Sequence, residues 1–186
     1  MLHTGFMGHF RAFNCLIIDQ AIERKKLNVE LHQVTCTSLK PQPIEQLKCY
    51  FKKLGRSKYS VGGIVMLNQQ LDKTVDVQVK LYIGSDRKVI KFLDLRLNVC
   101  EILQRGVSVP LMRKIIMETF KRTNFPRKCP IKSNIFFNAS YILDDSFLPP
   151  YLPPSLGINF SADFFDNRKK FATVLLEGCT MPIARK

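Results

Sequence analysis

Tryptophan is absent from this 186-residue chain, and its three histidines, His3, His9 and His32, all fall within the first 32 residues. A general base or a zinc set built on imidazole would have to recruit that N-terminal stretch. The six cysteines, Cys15, Cys36, Cys49, Cys100, Cys129 and Cys179, include no CxxC pair, so local metal-ligand spacing is missing. No apolar run reaches the roughly 18 residues that a membrane-spanning helix requires. Acidic residues are scarce: 15 stand against 29 Lys and Arg, for a net charge of +14. That field favours anionic partners without specifying one. These shortages disfavour an ordinary hydrolase or a zinc enzyme, and no catalytic residue, metal or cofactor is expected.

What is present suits one folded unit. The chain is 46% hydrophobic with 14 Phe, enough for a core in a single domain and too apolar for intrinsic disorder. Residues 1–26 read as a leader or disordered arm. Their apolar patch from Ala12 to Ile18, interrupted by Asn14, falls short of the roughly 7–15 apolar residues of a signal segment. The folded domain is expected over residues 27–180, with a tail at 181–186.

Period-two alternation dominates that domain. Leu27, Val29 and Leu31 alternate with Asn28, Glu30 and His32, and Leu47, Cys49 and Phe51 alternate with Lys48, Tyr50 and Lys52. Tyr59 to Leu67 reads as a strand kinked or bulged at Gly62 and Gly63. Val75, Val77, Val79, Leu81 and Ile83 make one dry face, turn at residues 84–87, and return through Val89 to Val99. The period then changes. A helix is predicted over 109–122, capped by Ser108 with Pro110 in its first turn, and Leu111, Met112, Ile115, Ile116 and Phe120 share its apolar face. Alternation resumes over Asn134–Ile142, Ile158–Phe165 and Phe171–Leu176, after a proline-rich crossover at 148–154. About eight strands and one helix predict an all-β, antiparallel sandwich.

One set of residues resembles a known family. Leu97-Asn98-Val99-Cys100-Glu101-Ile102-Leu103, the helix, Asn124-Phe125, Cys129-Pro130-Ile131 and the segment Leu148-Pro149 to Pro153 are similar to the insect domain-of-unknown-function family 1091. That family resembles a branch of the ML (MD-2-related) lipid-recognition superfamily, which includes the ganglioside activator protein and the CheB proteins. The resemblance covers about residues 30–180. It implies an immunoglobulin-like β-sandwich, extracellular, with an apolar cavity between the sheets for a lipid or another hydrophobic ligand. It also implies a disulfide between Cys100 and Cys129, bracketing the helix, and a second between Cys36 and Cys49. Cys15 and Cys179 match nothing in it.

The expected function is therefore non-enzymatic: a carrier of a lipid or other small hydrophobic molecule. The likeness to CheB proteins implies a chemosensory or pheromone-related role. The ligand-binding residues are expected where the helix meets the crossover, at Leu111, Ile115, Phe120, Phe147, Leu148, Leu152 and Phe160. Lys114, Lys121 and Arg122 are candidate contacts to anionic headgroups or a membrane surface, and a receptor is a further candidate partner. Two sequons, at Asn138 and Asn159, are candidate glycosylation sites, with Asn138 expected to face solvent. The alternative is a basic nucleic-acid-binding protein, prompted by the net charge. Scattered basic residues and the lack of a recognisable binding motif weigh against it, so no nucleic acid partner is expected. The adjacent acids Asp144 and Asp145 suit a turn better than an active site.

Overall fold

The computed structural model describes residues 27–39, 43–85, 87–147 and 152–182. Cys15 and Leu148, with the expected leader at 1–26, lie outside them. Eight antiparallel strands form two sheets: β1 (Leu27–Ser38), β2 (Ile44–Gly55), β3 (Lys58–Leu67), β4 (Val75–Ser85), β5 (Lys88–Asn98), β6 (Phe136–Asp144), β7 (Gly157–Asp166) and β8 (Lys169–Pro182). The five-stranded sheet has the order β1-β8-β7-β4-β5, and the three-stranded sheet the order β2-β3-β6. The all-β sandwich expected from the alternation is therefore what the chain adopts. Leu27 pairs with Pro182, so the last strand runs two residues past the expected domain end at 180.

The β4–β5 hairpin shows how the pattern dictates the packing. Val75, Val77, Val79, Leu81 and Ile83 are buried, while Asp76, Gln78, Lys80 and Tyr82 between them are not, because successive side chains leave opposite faces of a strand. The polar face carries its own bonds. Asp163 of β7 accepts from the Thr173 hydroxyl at 2.7 Å and pairs with Lys80 at 3.5 Å and Lys170 at 3.3 Å. Burial alone would push the Asp163 carboxyl up, but Thr173, Lys170 and Lys80 outweigh it and hold it below the usual carboxylate value.

Gly62 and Gly63 correct one expectation, because β3 runs through them in unbroken register with both β2 and β6. Gly62 is required for another reason. A Cβ there would stand 2.4 Å from the Tyr50 ring, which lies across β3 and donates its hydroxyl hydrogen to Asn138 Oδ1 at 3.1 Å. The irregularity sits instead in β5, where Leu81 pairs with Leu93 but Tyr82 pairs with Lys91, leaving Phe92 as an extra residue.

Among the described residues there are two α-helices where one was expected, and a 3-10 turn at Asp145–Phe147. α1 (Val99–Arg105) begins where the strand was predicted to end, capped by Asn98, whose Oδ1 accepts from the Glu101 amide at 3.1 Å. α2 (Pro110–Lys121) matches the predicted helix, but its cap residue is Val109, without a side-chain bond, rather than Ser108. Pro110 explains this, since its fixed φ suits the first helical position and its missing N–H needs no cap. Both disulfides implied by the resemblance are present, each with Cα atoms 5.6 Å apart. Cys36–Cys49 ties β1 to β2, the edge strands of the two sheets. Cys100–Cys129 ties α1 to the segment before Ile131.

Candidate functional site

The two sheets do not close completely on each other. Ile44, Leu67 and Phe137 from the smaller sheet face Val75, Phe171 and Ala172 from the larger, and a cavity of about 140 Å³ remains among them. Val65, Val99, Phe125, Phe164 and Val174 are also part of its wall, and its lining exposes no polar surface. An apolar space of that size has no partner for water and stays dry unless an apolar group enters. Its chemistry is thus restricted to shape and dispersion, with no proton donor or nucleophile facing it.

Phe125 forms part of the wall facing α2. Its ring packs on Phe137 at 5.0 Å and stacks on Phe120 at 6.3 Å. Phe120 in turn borders an open cleft with Leu103, Met117, Lys121 and Arg127. The three rings therefore form a continuous aromatic path from the inner cavity to a surface cleft that carries two basic side chains. Lys121 already pairs with Glu118 at 2.7 Å, and that bond holds the Glu118 carboxyl below its usual value.

The residues expected to line the site are not gathered there. Leu111, Ile115, Phe120, Phe147, Leu152 and Phe160 are absent from the wall of the inter-sheet cavity, and Leu148 lies outside the described residues. Ile115 and Phe160 pack against a second cluster around Val77, Val79, Val107 and Met112. Phe147 lies edge-on to Tyr141, 5.1 Å away. Lys114 sits 4.2 Å over the Phe147 ring and donates to the Ser146 hydroxyl at 2.7 Å. That cation is thereby engaged with the turn after β6, while Arg122 is exposed at the end of α2. The apolar face of α2 is used for packing, and the cavity lies between the sheets with Phe125, not a residue of α2, in its wall. Asp144 Oδ1 accepts from the Ser146 amide at 3.0 Å, so the acidic pair begins a turn.

The two sequons differ in setting. Asn138 is exposed on β6, an edge strand, whereas Asn159 is half-buried in β7 and its amide donates to Glu177 at 3.4 Å. Among the aromatics of the last third, Phe137 and Phe171 are core, but Phe136 is 49% exposed.

Residues 74–155 match the family model described as "Protein of unknown function (DUF1091)". The match runs from the start of β4 past the crossover, and so includes both helices and the Cys100–Cys129 disulfide. It supports the family that the cysteine and proline pattern resembles. No curated protein matches the chain. Among solved structures, a protein from Archaeoglobus fulgidus aligns over 77% of this chain and 99% of its own, at 14% identity and a TM-score of 0.26. Among the described residues no helix is long and apolar enough to cross a membrane, and the disulfides are of the kind that persists in oxidising compartments.

Proposed function

We propose that this chain is a non-enzymatic binding protein that holds a small apolar molecule, or the apolar end of a lipid, between its two sheets. The observation that carries the reading is the cavity of about 140 Å³ with a wholly apolar wall. A void of this size holds a ring or a short alkyl segment, since dry apolar cavities of about 150 Å³ take up benzene. It is smaller than the roughly 300–1,000 Å³ of a site that encloses a drug-sized ligand. A longer chain would have to extend along the Phe125–Phe120 path to the cleft, where Lys121 and Arg127 suit an anionic headgroup. Affinity then comes from apolar area removed from water, at about 25 cal/mol per Å².

The resemblance to the ML lipid-recognition superfamily, the family match and the disulfides all suit an extracellular carrier, with a chemosensory role as its narrower form. Binding is tested by titrating the full chain with benzene and with short alkanols, following amide chemical shifts. Saturable shifts at Val65, Phe137 and Val174 support the reading, and Val65→Phe, which fills the void, abolishes them. Shifts that are absent, or that persist unchanged in a folded Val65→Phe variant, would overturn it.

A further inference from the structure

The β2–β3 hairpin concentrates positive charge that the fold around it does not answer. From Gln46 to Leu71 the chain has no Asp or Glu, yet this stretch carries Lys48, Lys52, Lys53, Arg56 and Lys58. All five are exposed, and among the described residues none of them pairs with an acid. Asp144 stands opposite Lys58 in the β3–β6 register, but its Oδ1 takes the Ser146 amide and hydroxyl instead. Lys53 lies over the Tyr59 ring at 5.9 Å, a neutral partner that leaves its charge in place.

The hairpin is also held in one shape. Ser57, in the left-handed region at φ 55°, is buried, and its Oγ accepts from the Val29 amide of β1. The Cys36–Cys49 disulfide ties β2 to β1 as well. Lys52 pairs with Ser60 across the two strands, so it shares the outer face of the smaller sheet with Lys58, roughly 7–8 Å away on the diagonal. Arg56 stands in the turn between them. Three bases thus line one side of an anchored tip. Asn138 lies opposite Ile64, six residues along β3 from Lys58, so a glycan on it leaves the tip open.

We propose that Lys52, Arg56 and Lys58 are the contacts of a docking surface for a sulfated polysaccharide. A line of bases without acids selects a chain of fixed negative charge, because each contact releases a condensed counterion from the chain. Sulfate oxygens accept charge-assisted hydrogen bonds as phosphate oxygens do, and Arg56 can offer two at once. The class of polyanion rests on the extracellular reading above. Disulfides persist in oxidising compartments, whereas the negative surface potential of membranes belongs to the cytoplasmic leaflet. None of the three bases lines the inter-sheet cavity or the cleft beside Phe120, so polysaccharide and apolar cargo would bind together.

The test is binding of the full chain to heparin, against desulfated heparin, single-stranded DNA and phosphatidylcholine vesicles containing phosphatidylserine. Heparin should bind best, and its affinity should fall about tenfold or more between about 0.05 and 0.2 M salt, as three charge contacts require. The double variant Lys52→Gln, Lys58→Gln should bind heparin at least about tenfold more weakly. Lys128→Gln with Lys132→Gln, which removes the same charge from exposed positions elsewhere, should not. No binding to heparin would overturn the proposal, and equal losses in the two double variants would do so by reducing the effect to net charge. So would binding that survives desulfation, a preference for single-stranded DNA, or a preference for the vesicles, into which the exposed Leu54 of the same tip would insert. Benzene titration of the cavity is read separately, so a failure here with benzene still bound leaves the carrier standing.

Discussion

Phe125 rests on Phe137 with ring centroids 5.0 Å apart, and through that contact it separates the inter-sheet cavity from the cleft beside Phe120. Phe125→Ala should merge the two spaces. It should cost stability toward the low end of the roughly 3–5 kcal/mol seen for buried Phe truncations, because the ring is only half-buried. If Phe125 is the barrier, the variant also takes up longer alkanols than the parent does, as read by calorimetric titration across a chain-length series. An unchanged length limit would mean that the wall lies elsewhere.

Removing the Cys100–Cys129 crosslink by a double Cys→Ala change should destabilise the protein by about 3–4 kcal/mol in the chain-entropy model, because 29 residues separate its ends. Removing Cys36–Cys49, with a separation of 13, should cost about 3 kcal/mol. Denaturant midpoints under non-reducing conditions check the order, and the longer loop should be the more costly to open.

In a glycosylating host, Asn138 should carry the glycan and Asn159 should not. Asn138 is exposed on an edge strand, where its Oδ1 accepts from the Tyr50 hydroxyl, whereas Asn159 is half-buried at the centre of the larger sheet and its amide nitrogen, the atom a glycan joins, donates to Glu177. Asn138→Gln should abolish the mobility shift removed by amidase treatment, and Asn159→Gln should leave it.

Asp163 should supply an acid-sensitive part of the stability. Its folded carboxyl titrates below the ordinary value of 3.8, so its contribution is complete above the unfolded pKa and is lost as pH falls through the lower folded value. Asp163→Asn should cost about 1.5–3 kcal/mol at neutral pH, the range for a hydrogen bond to a charged group. It should also flatten the decline in melting temperature below about pH 4.

Gly178→Ala should be costly and Gly55→Ala nearly silent. The first forces a Cβ to within 2.3 Å of the Glu30 carbonyl, while the second meets nothing within 4 Å. About 2–4 kcal/mol is expected for the first and less than about 0.5 kcal/mol for the second by chemical denaturation.

The strands were legible because each carries its own period. Val75 to Ile83 declares both its faces, and the helix at 110–121 follows from Leu111, Met112, Ile115 and Ile116. The first helix was equally legible in principle, since Asn98 followed three residues later by Glu101 is a helix-start signal. It was missed because Leu95, Leu97 and Val99 continue the strand's alternation into it. The cavity was not legible at all. Ile44, Val65, Val75, Phe125, Phe137 and Phe171 are ordinary apolar residues in the sequence, and the gap between them depends on how far two sheets stand apart, a quantity no single strand encodes. The ligand residues were sought on the apolar face of α2, where Ile115 does face inward, but it packs, as Phe160 does, against the cluster of Val77, Val79, Val107 and Met112 rather than lining the void.

The extra residue at Phe92 has a bearing on how this protein behaves in a crowded fluid. β5 is the last strand of its sheet, and Val89, Ile90 and Phe92 on it are all exposed. A straight strand with that composition would offer its open row of N–H and C=O groups to any passing chain, and copies would add to it without limit. The slip at Phe92 throws the two halves of that row out of step, and the charges of Lys91, Asp94 and Arg96 punctuate it. Repairing the slip would therefore favour fibres, even if the shortened strand held the sandwich together more tightly.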